Sequence, residues 1–273
     1  MALEKQAASN HVDLATIQMH YLDWGGEDPP ILLLHPNRTN ARVWDFVVEH
    51  SAATNCWLAP DQRGHGLSDY PSSGYGYADY LGDIRAFLRL VGIDRVHLVG
   101  AATGGNLSLL LASESPDLVV TLTVIDPGLS LDPGINSAVQ SQIANEFVFD
   151  SLDAARVAMP FSDAWSDEMK DHYVRYSFRP LGDGKVQWRY LPAGVSETEH
   201  ILVEPIWDRI AVGCPTLIVR GAGSAVFPAD NMVRLQELIP AAATTEIEAG
   251  HRVTQDNPEA LARALDQLLA QSG

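Results

Sequence analysis

The sequence predicts an α/β protein, a mostly parallel sheet flanked by helices. Short apolar runs of about four residues alternate with segments of helical periodicity through most of the chain. Those runs are continuous rather than alternating, as expected of strands covered on both faces. A glycine-rich segment, Gly100-Ala101-Ala102-Thr103-Gly104-Gly105, joins one such run directly to a helical pattern, the connection a parallel sheet uses.

Residues 15–24 supply an antiparallel hairpin at the sheet edge. The run 31–34 (Ile-Leu-Leu-Leu) is closed by His35-Pro36-Asn37 and reads as a buried strand ending in a loop. The next strand, 56–59, is stopped by Pro60-Asp61. Residues 77–91 carry Tyr80, Ile84, Phe87, Leu88 and Val91 at helical spacing and end at Gly92. Strand 96–99 leads through the glycine turn into a helix over 106–113. Strands follow at 122–125, 216–219 and 244–248, before a C-terminal helix over 258–269. The rhythm breaks after Asp126 and resumes at Gly213. Residues 127–212 therefore form an insertion of short amphipathic pieces, mainly helical and without a clear buried strand. Residues 1–126 and 213–273 form the core. The insertion holds ten aromatic residues, about half of the chain's complement in under a third of its length.

Apolar residues make up 46% of the 273 positions and charged residues 19%, enough apolar material for a sizeable core and too little charge for disorder. The formal net charge of −17 repels phosphate, so neither nucleic acid nor an anionic membrane surface is an expected partner. No apolar run approaches the ~18–20 residues of a membrane span, and Met1-Ala2-Leu3-Glu4-Lys5-Gln6 lacks the pattern of a signal peptide. Two cysteines, Cys56 and Cys214, without a CxxC or a neighbouring His pair, argue against a zinc site and for reduced thiols in a cytoplasmic protein. No metal and no cofactor is expected.

Chemistry concentrates in four segments. Gly100 and Gly104 flank Ala102, a spacing that lets a tight strand-to-helix turn lift the central side chain over the sheet's C-terminal edge. Leu33-Leu34-His35-Pro36-Asn37 ends a strand in a loop. Asp61-Gln62-Arg63-Gly64-His65-Gly66-Leu67-Ser68 follows the second strand. Glu248-Ala249-Gly250-His251 precedes Asp256-Asn257-Pro258-Glu259 near the end. In this order and spacing they resemble the α/β-hydrolase family with a cap domain, whose motifs cover nearly the whole chain outside the insertion. Among capped members the sequence resembles bacterial lactonases that open the resorcylic macrolactone zearalenone.

The resemblance implies a role for each position. Ala102 stands where the family carries its nucleophilic serine. His251 is the general base, then the general acid. The backbone N–H groups of Thr103 and Asn37 form the oxyanion hole; Pro36 replaces the usual glycine, but the donor position is Asn37. The triad acid is Asp126, which ends the fourth parallel strand, because Arg220-Gly221-Ala222-Gly223-Ser224 after the next strand offers no carboxylate and Asp230 lies farther on as a helix cap. His35 and Arg38 on the oxyanion loop, and Trp188, Tyr190 and Leu191 in the insertion, are candidate substrate contacts, with Pro192-Ala193-Gly194 as a rim. His65 reads as a structural loop histidine. The implied partner is a small apolar aromatic lactone or ester, and the resemblance points to a homodimer or homotetramer.

Alanine cannot attack a carbonyl. Either the chain is a Ser→Ala form that binds substrate without turning it over, or it does something else. A cofactor-free dioxygenase would use a His–Asp base on an aromatic substrate, and a ligand-binding receptor would keep the pocket alone. Ala102→Ser discriminates among the three.

Overall fold

The computed structural model describes residues 3–129, 148–190 and 206–271. An antiparallel hairpin opens the chain, β1 (Ala8–Asp13) with β2 (Gln18–Asp23), paired so that His11 faces His20. The hairpin begins seven residues earlier than expected, since most of β1 is open to solvent and carries no apolar signal. Next come β3 (Glu27–Leu34), α1 (Asp45–His50), β4 (Asn55–Pro60), α2 (Tyr77–Leu90), β5 (Val96–Ala101), α3 (Thr103–Glu114) and β6 (Val119–Ile125). After the insertion come β10 (Thr216–Gly221), α6 (Ala229–Leu238), β11 (Ala243–Ile247), α7 (Val253–Asp256) and α8 (Pro258–Ala270).

Eight strands form one sheet in the order β1-β2-β4-β3-β5-β6-β10-β11, antiparallel at the hairpin end and parallel from β4 onward. The apolar runs are buried as their composition requires: Ile31 to Leu34 are fully shielded. Alternate side chains feed two cores. Leu32, Leu34, Leu98 and Ile218 meet Phe87, Leu107 and Leu235 on one face. Ile31, Leu33, Val99 and Val219 meet Trp44, Val47, Leu261 and Leu265 on the other. This is the mostly parallel sheet with helices on both faces that the sequence predicts.

The described part of the insertion holds β7 (Val148–Phe149), α4 (Leu152–Ala158), α5 (Asp167–Ser177), β8 (Phe178–Pro180) and β9 (Val186–Trp188). Its strands make a small antiparallel sheet, β7-β9-β8, around Phe149, Phe178 and Val186. The expectation of no strand there is corrected: strands of two or three residues are too short to show a period. At the far end Ile206, Trp207 and Ile210 pack into the main core, not into the cap. No helix among the described residues is long and apolar enough to cross a membrane.

Candidate active site

Strand β5 hands the chain to α3 through Ala102, whose φ of +49° and ψ of −115° lie in a region L-residues rarely adopt. The turn closes because both flanking glycines lack a Cβ. A methyl at Gly104 would collide with the Leu34 carbonyl oxygen, and one at Gly100 with the Gly104 carbonyl oxygen. The Ala102 N–H donates to the Ile125 carbonyl at 2.9 Å, fixing the turn to the end of β6. Thr103 opens α3, so its N–H is one of the first-turn donors that the helix itself cannot pair.

The residue after Ile125 is Asp126, fully buried, with a φ of +45°. Its N–H donates to the Val219 carbonyl, which aims the carboxyl across the C-terminal edge of β10. Three donors converge on that carboxylate. The Gly221 N–H reaches Oδ1 at 3.0 Å, while the Ser224 hydroxyl and His251 Nδ1 both reach Oδ2 at 2.6 Å. With Nδ1 donating to Asp126, Nε2 carries the imidazole's free lone pair. The residue types and the spacing from strand end to loop therefore bring Asp126 and His251 together as the sequence suggests. Ser224 had no place in that reading. Its only signal was a hydroxyl where a carboxylate is absent, at the end of Arg220-Gly221-Ala222-Gly223-Ser224.

His251 opens onto a cavity of about 480 Å³. Asn37, Arg38, Trp188 and Tyr190 share its lining with Thr39 of the same polar loop and Tyr173 of the insertion; Arg252 and Gln255, which sequence reasoning missed, line it too. They come from four separate segments that only the fold unites. Trp188 stacks near Phe178 and Tyr190, with ring centroids 4.2 and 5.3 Å away, giving the cavity an aromatic wall. Ala102 and Thr103, 8% and 4% exposed, are outside the lining, and Leu191 lies outside the described residues. A larger cleft of about 770 Å³, between Lys5 and α5, holds none of the predicted site residues.

His35 does not reach the cavity. It is fully buried; its Nε2 accepts the Gln62 N–H at 2.9 Å and its Nδ1 donates to the Pro36 carbonyl at 2.8 Å, so both nitrogens hold loops together. His65 plays the same part. Nδ1 faces the Arg63 carbonyl, Nε2 accepts the Arg38 N–H at 3.1 Å, and the Asn37 carboxamide lies 2.9 Å away. Burial, followed by the neighbouring His35, pushes the His65 pKa down to about 3, and burial also lowers that of His35. Neutral imidazole is the form that fits these bonds. Together they brace Asn37 and Arg38, the latter held at a φ of +62°.

Among the described residues, four hydrogen bonds tie residues 148–190 of the insertion to this scaffold. Gly66 N–H donates to the Arg189 carbonyl, and Asn40 Nδ2 to that of Tyr176. His172 Nε2 lies 2.8 Å from Asp45 Oδ2, and the Trp165 indole donates to Asp256 Oδ1 at 2.6 Å. The arrangement holds a carboxylate-bound histidine beside an aromatic cavity and presents alanine at the turn.

The alpha/beta hydrolase fold family matches residues 29–258. The chain is 26% identical over 266 residues to the 2-(acetamidomethylene)succinate hydrolase of Mesorhizobium japonicum, covering 96% of this chain and 95% of that one. It is 28% identical over 269 residues to the N-formylmaleamate deformylase of Pseudomonas putida, covering 96% of each. The crystal structure of E-2-(acetamidomethylene)succinate hydrolase superposes with a TM-score of 0.89 at 25% identity, covering 97% of this chain and all of that one. A strand-to-helix turn between two obligatory glycines, a strand-end carboxylate holding a late histidine and an inserted cap thus coincide with a match across most of the length: the chain belongs to the alpha/beta hydrolase fold family.

Proposed function

We propose that this chain is the frame of a serine-type hydrolase of carboxylic esters or lactones, with Ala102 in the nucleophile position, and that it binds substrate without turning it over. The observation that carries the proposal is the Asp126–His251 pair, joined at 2.6 Å at the sheet edge where Ala102 sits on its strained turn. An aspartate that only closed a turn would have no need of a histidine and a serine on one oxygen.

With serine at 102, Oγ attacks the carbonyl while His251 Nε2 takes its proton. Asp126 holds Nδ1–H and stabilises the imidazolium. The N–H groups of Thr103 and Asn37 receive the oxyanion. The alcohol, or the alkoxide end of an opened ring, leaves with the proton from His251. Water, activated by the same base, then releases the acid. The described cap residues, 148–190, roof the acyl group. Their wall of Trp188 and Tyr190 suits a flat unsaturated compound, and the macrolactone zearalenone is the neutral lactone with which this reading is tested. A cofactor-free dioxygenase is the second reading, favoured by one fact: the dyad is complete while residue 102 is alanine.

The test is steady-state turnover by Ala102→Ser with 4-nitrophenyl acetate and with zearalenone, beside the unaltered chain and an oxygen electrode. The expected result is hydrolysis by Ala102→Ser alone, at about 10⁴-fold or more above the unaltered chain. Folded Ala102→Ser that opens neither substrate, or an unaltered chain that consumes oxygen, overturns it.

A further inference from the structure

The chain is strongly acidic, with 35 carboxylate side chains against 18 basic ones, yet the described lining of its cavity has the opposite character. Among the described residues that line it, Arg38 and Arg252 carry charge and no aspartate or glutamate does. Each adjoins a site residue in sequence: Arg38 follows the oxyanion donor Asn37, and Arg252 follows His251. Neither is on an indifferent surface. The Arg38 backbone is bent to a φ of +62° and fixed by the bond from its N–H to His65. The Arg252 guanidinium lies over two rings, 5.6 Å from the Trp165 centroid and 6.0 Å from that of Tyr173. Among the described residues no carboxylate lies within ion-pair distance of Arg252.

A guanidinium stacked on aromatic faces keeps its edge N–H groups free, and its fork matches a carboxylate. We infer that the substrate of this cavity carries a carboxylate beside the group to be cleaved, and that Arg252 receives it. The inference rests on the proposal that this cavity is the substrate site, and names the substrate's chemical class. Net charge acts over long range and is screened by salt; the contact with Arg252 is local and decides which ligand stays. This contact also places a demand on the reaction: a carboxylate held at Arg252, next to His251 in the chain and in the same cavity lining, orients the scissile group beside that histidine.

Because the unaltered chain lacks a nucleophile, binding is measured on it without turnover. Calorimetry compares the monomethyl esters of succinic, adipic and phthalic acids with the corresponding dimethyl esters, which differ by one charge. At least one monoester should bind about tenfold or more tightly than its diester, the preference expected of one charge-assisted contact. The ratio should shrink about fivefold or more in Arg252→Gln, survive in Arg252→Lys, and stay unchanged in Arg263→Gln, which alters an arginine on the outer face of α8. Equal binding within every pair, no monoester bound below about 10 mM, or a ratio indifferent to Arg252→Gln overturns the inference. Its failure is distinct from that of the hydrolase proposal. Neutral esters cleaved by Ala102→Ser without charge preference would remove only the carboxylate, whereas charge-selective binding with no turnover by Ala102→Ser would remove only the hydrolase.

Discussion

Oδ2 of Asp126 takes two donors, and the pattern assigns the work: Ser224 and Gly221 hold the carboxylate, so that it holds His251. Replacing it by an amide changes which nitrogen of the imidazole carries the proton. An amide NH₂ facing Nδ1 makes Nδ1 an acceptor, moves the hydrogen to Nε2 and leaves no base toward the substrate. In the Ala102→Ser background, Asp126→Asn should therefore lose about 10⁴ in kcat. A variant retaining more than about a tenth of the activity moves the acid elsewhere, with Asp230 next in line. His65 makes a different prediction, about stability. Its folded pKa of about 3 lies far below that of an exposed histidine. The unfolded chain takes up a proton near pH 6.5 and the folded chain does not. Stability is thus complete above about pH 6.5 and is lost as pH falls toward 3. Between pH 7.5 and pH 5 this one residue costs about 2 kcal/mol. Urea unfolding at the two pH values should show that loss, and His65→Asn, which cannot titrate, should reduce it by the same amount. An identical pH dependence in the variant would mean that His65 is protonated in the fold.

The turn between β5 and α3 depends on two missing side chains. Gly104→Ala drives a methyl into the Leu34 carbonyl of the neighbouring strand, and neither backbone can retreat without breaking the β3–β5 ladder. The variant should lose about 1–3 kcal/mol, read as a lower urea midpoint at unchanged m-value; an unaltered midpoint would show that the turn can relax. This element was legible because its glycines are steric necessities, and the parallel strands were legible because burial on both faces demands unbroken apolar runs such as 31–34. Other elements left no such mark. β1 is largely solvated, and β7, β8 and β9 are held by pairing and by Phe149, Phe178 and Val186 rather than by any repeat. The same distinction runs through the site. His251 and Asp126 stand in local motifs or at a strand end, so position alone suggests them. Ser224, Arg252, Gln255 and Tyr173 acquire meaning only when distant segments meet, and His35, attractive as a loop histidine, proves to be a brace.

Asp256 links the two parts of the molecule. Its Oδ2 accepts the Gly250 N–H at 2.7 Å and so shapes the loop that presents His251, while its Oδ1 accepts the Trp165 indole from the cap. One carboxylate therefore couples the position of the cap to the loop that carries His251. Trp165 is 3% exposed and packs with Met169 and Tyr173 on α5, the helix that supplies a wall of the cavity. Trp165→Phe keeps an aromatic ring in that cluster but removes the N–H, and a hydrogen bond to a charged group contributes about 1.5–3 kcal/mol. If that bond seats the cap, its loss should make the cap open more often while the core stays closed. Hydrogen–deuterium exchange should then quicken about tenfold in α5 and leave β5 and β6 unchanged, since local opening is governed by local contacts. The carboxylate now freed from Trp165 still receives Gly250, so His251 should keep its bond to Asp126, and ligand affinity should fall while the dyad survives. Equal acceleration in α5 and the central strands would mean that Trp165 supports the whole fold, and no change in α5 would mean that the other cap contacts suffice without it.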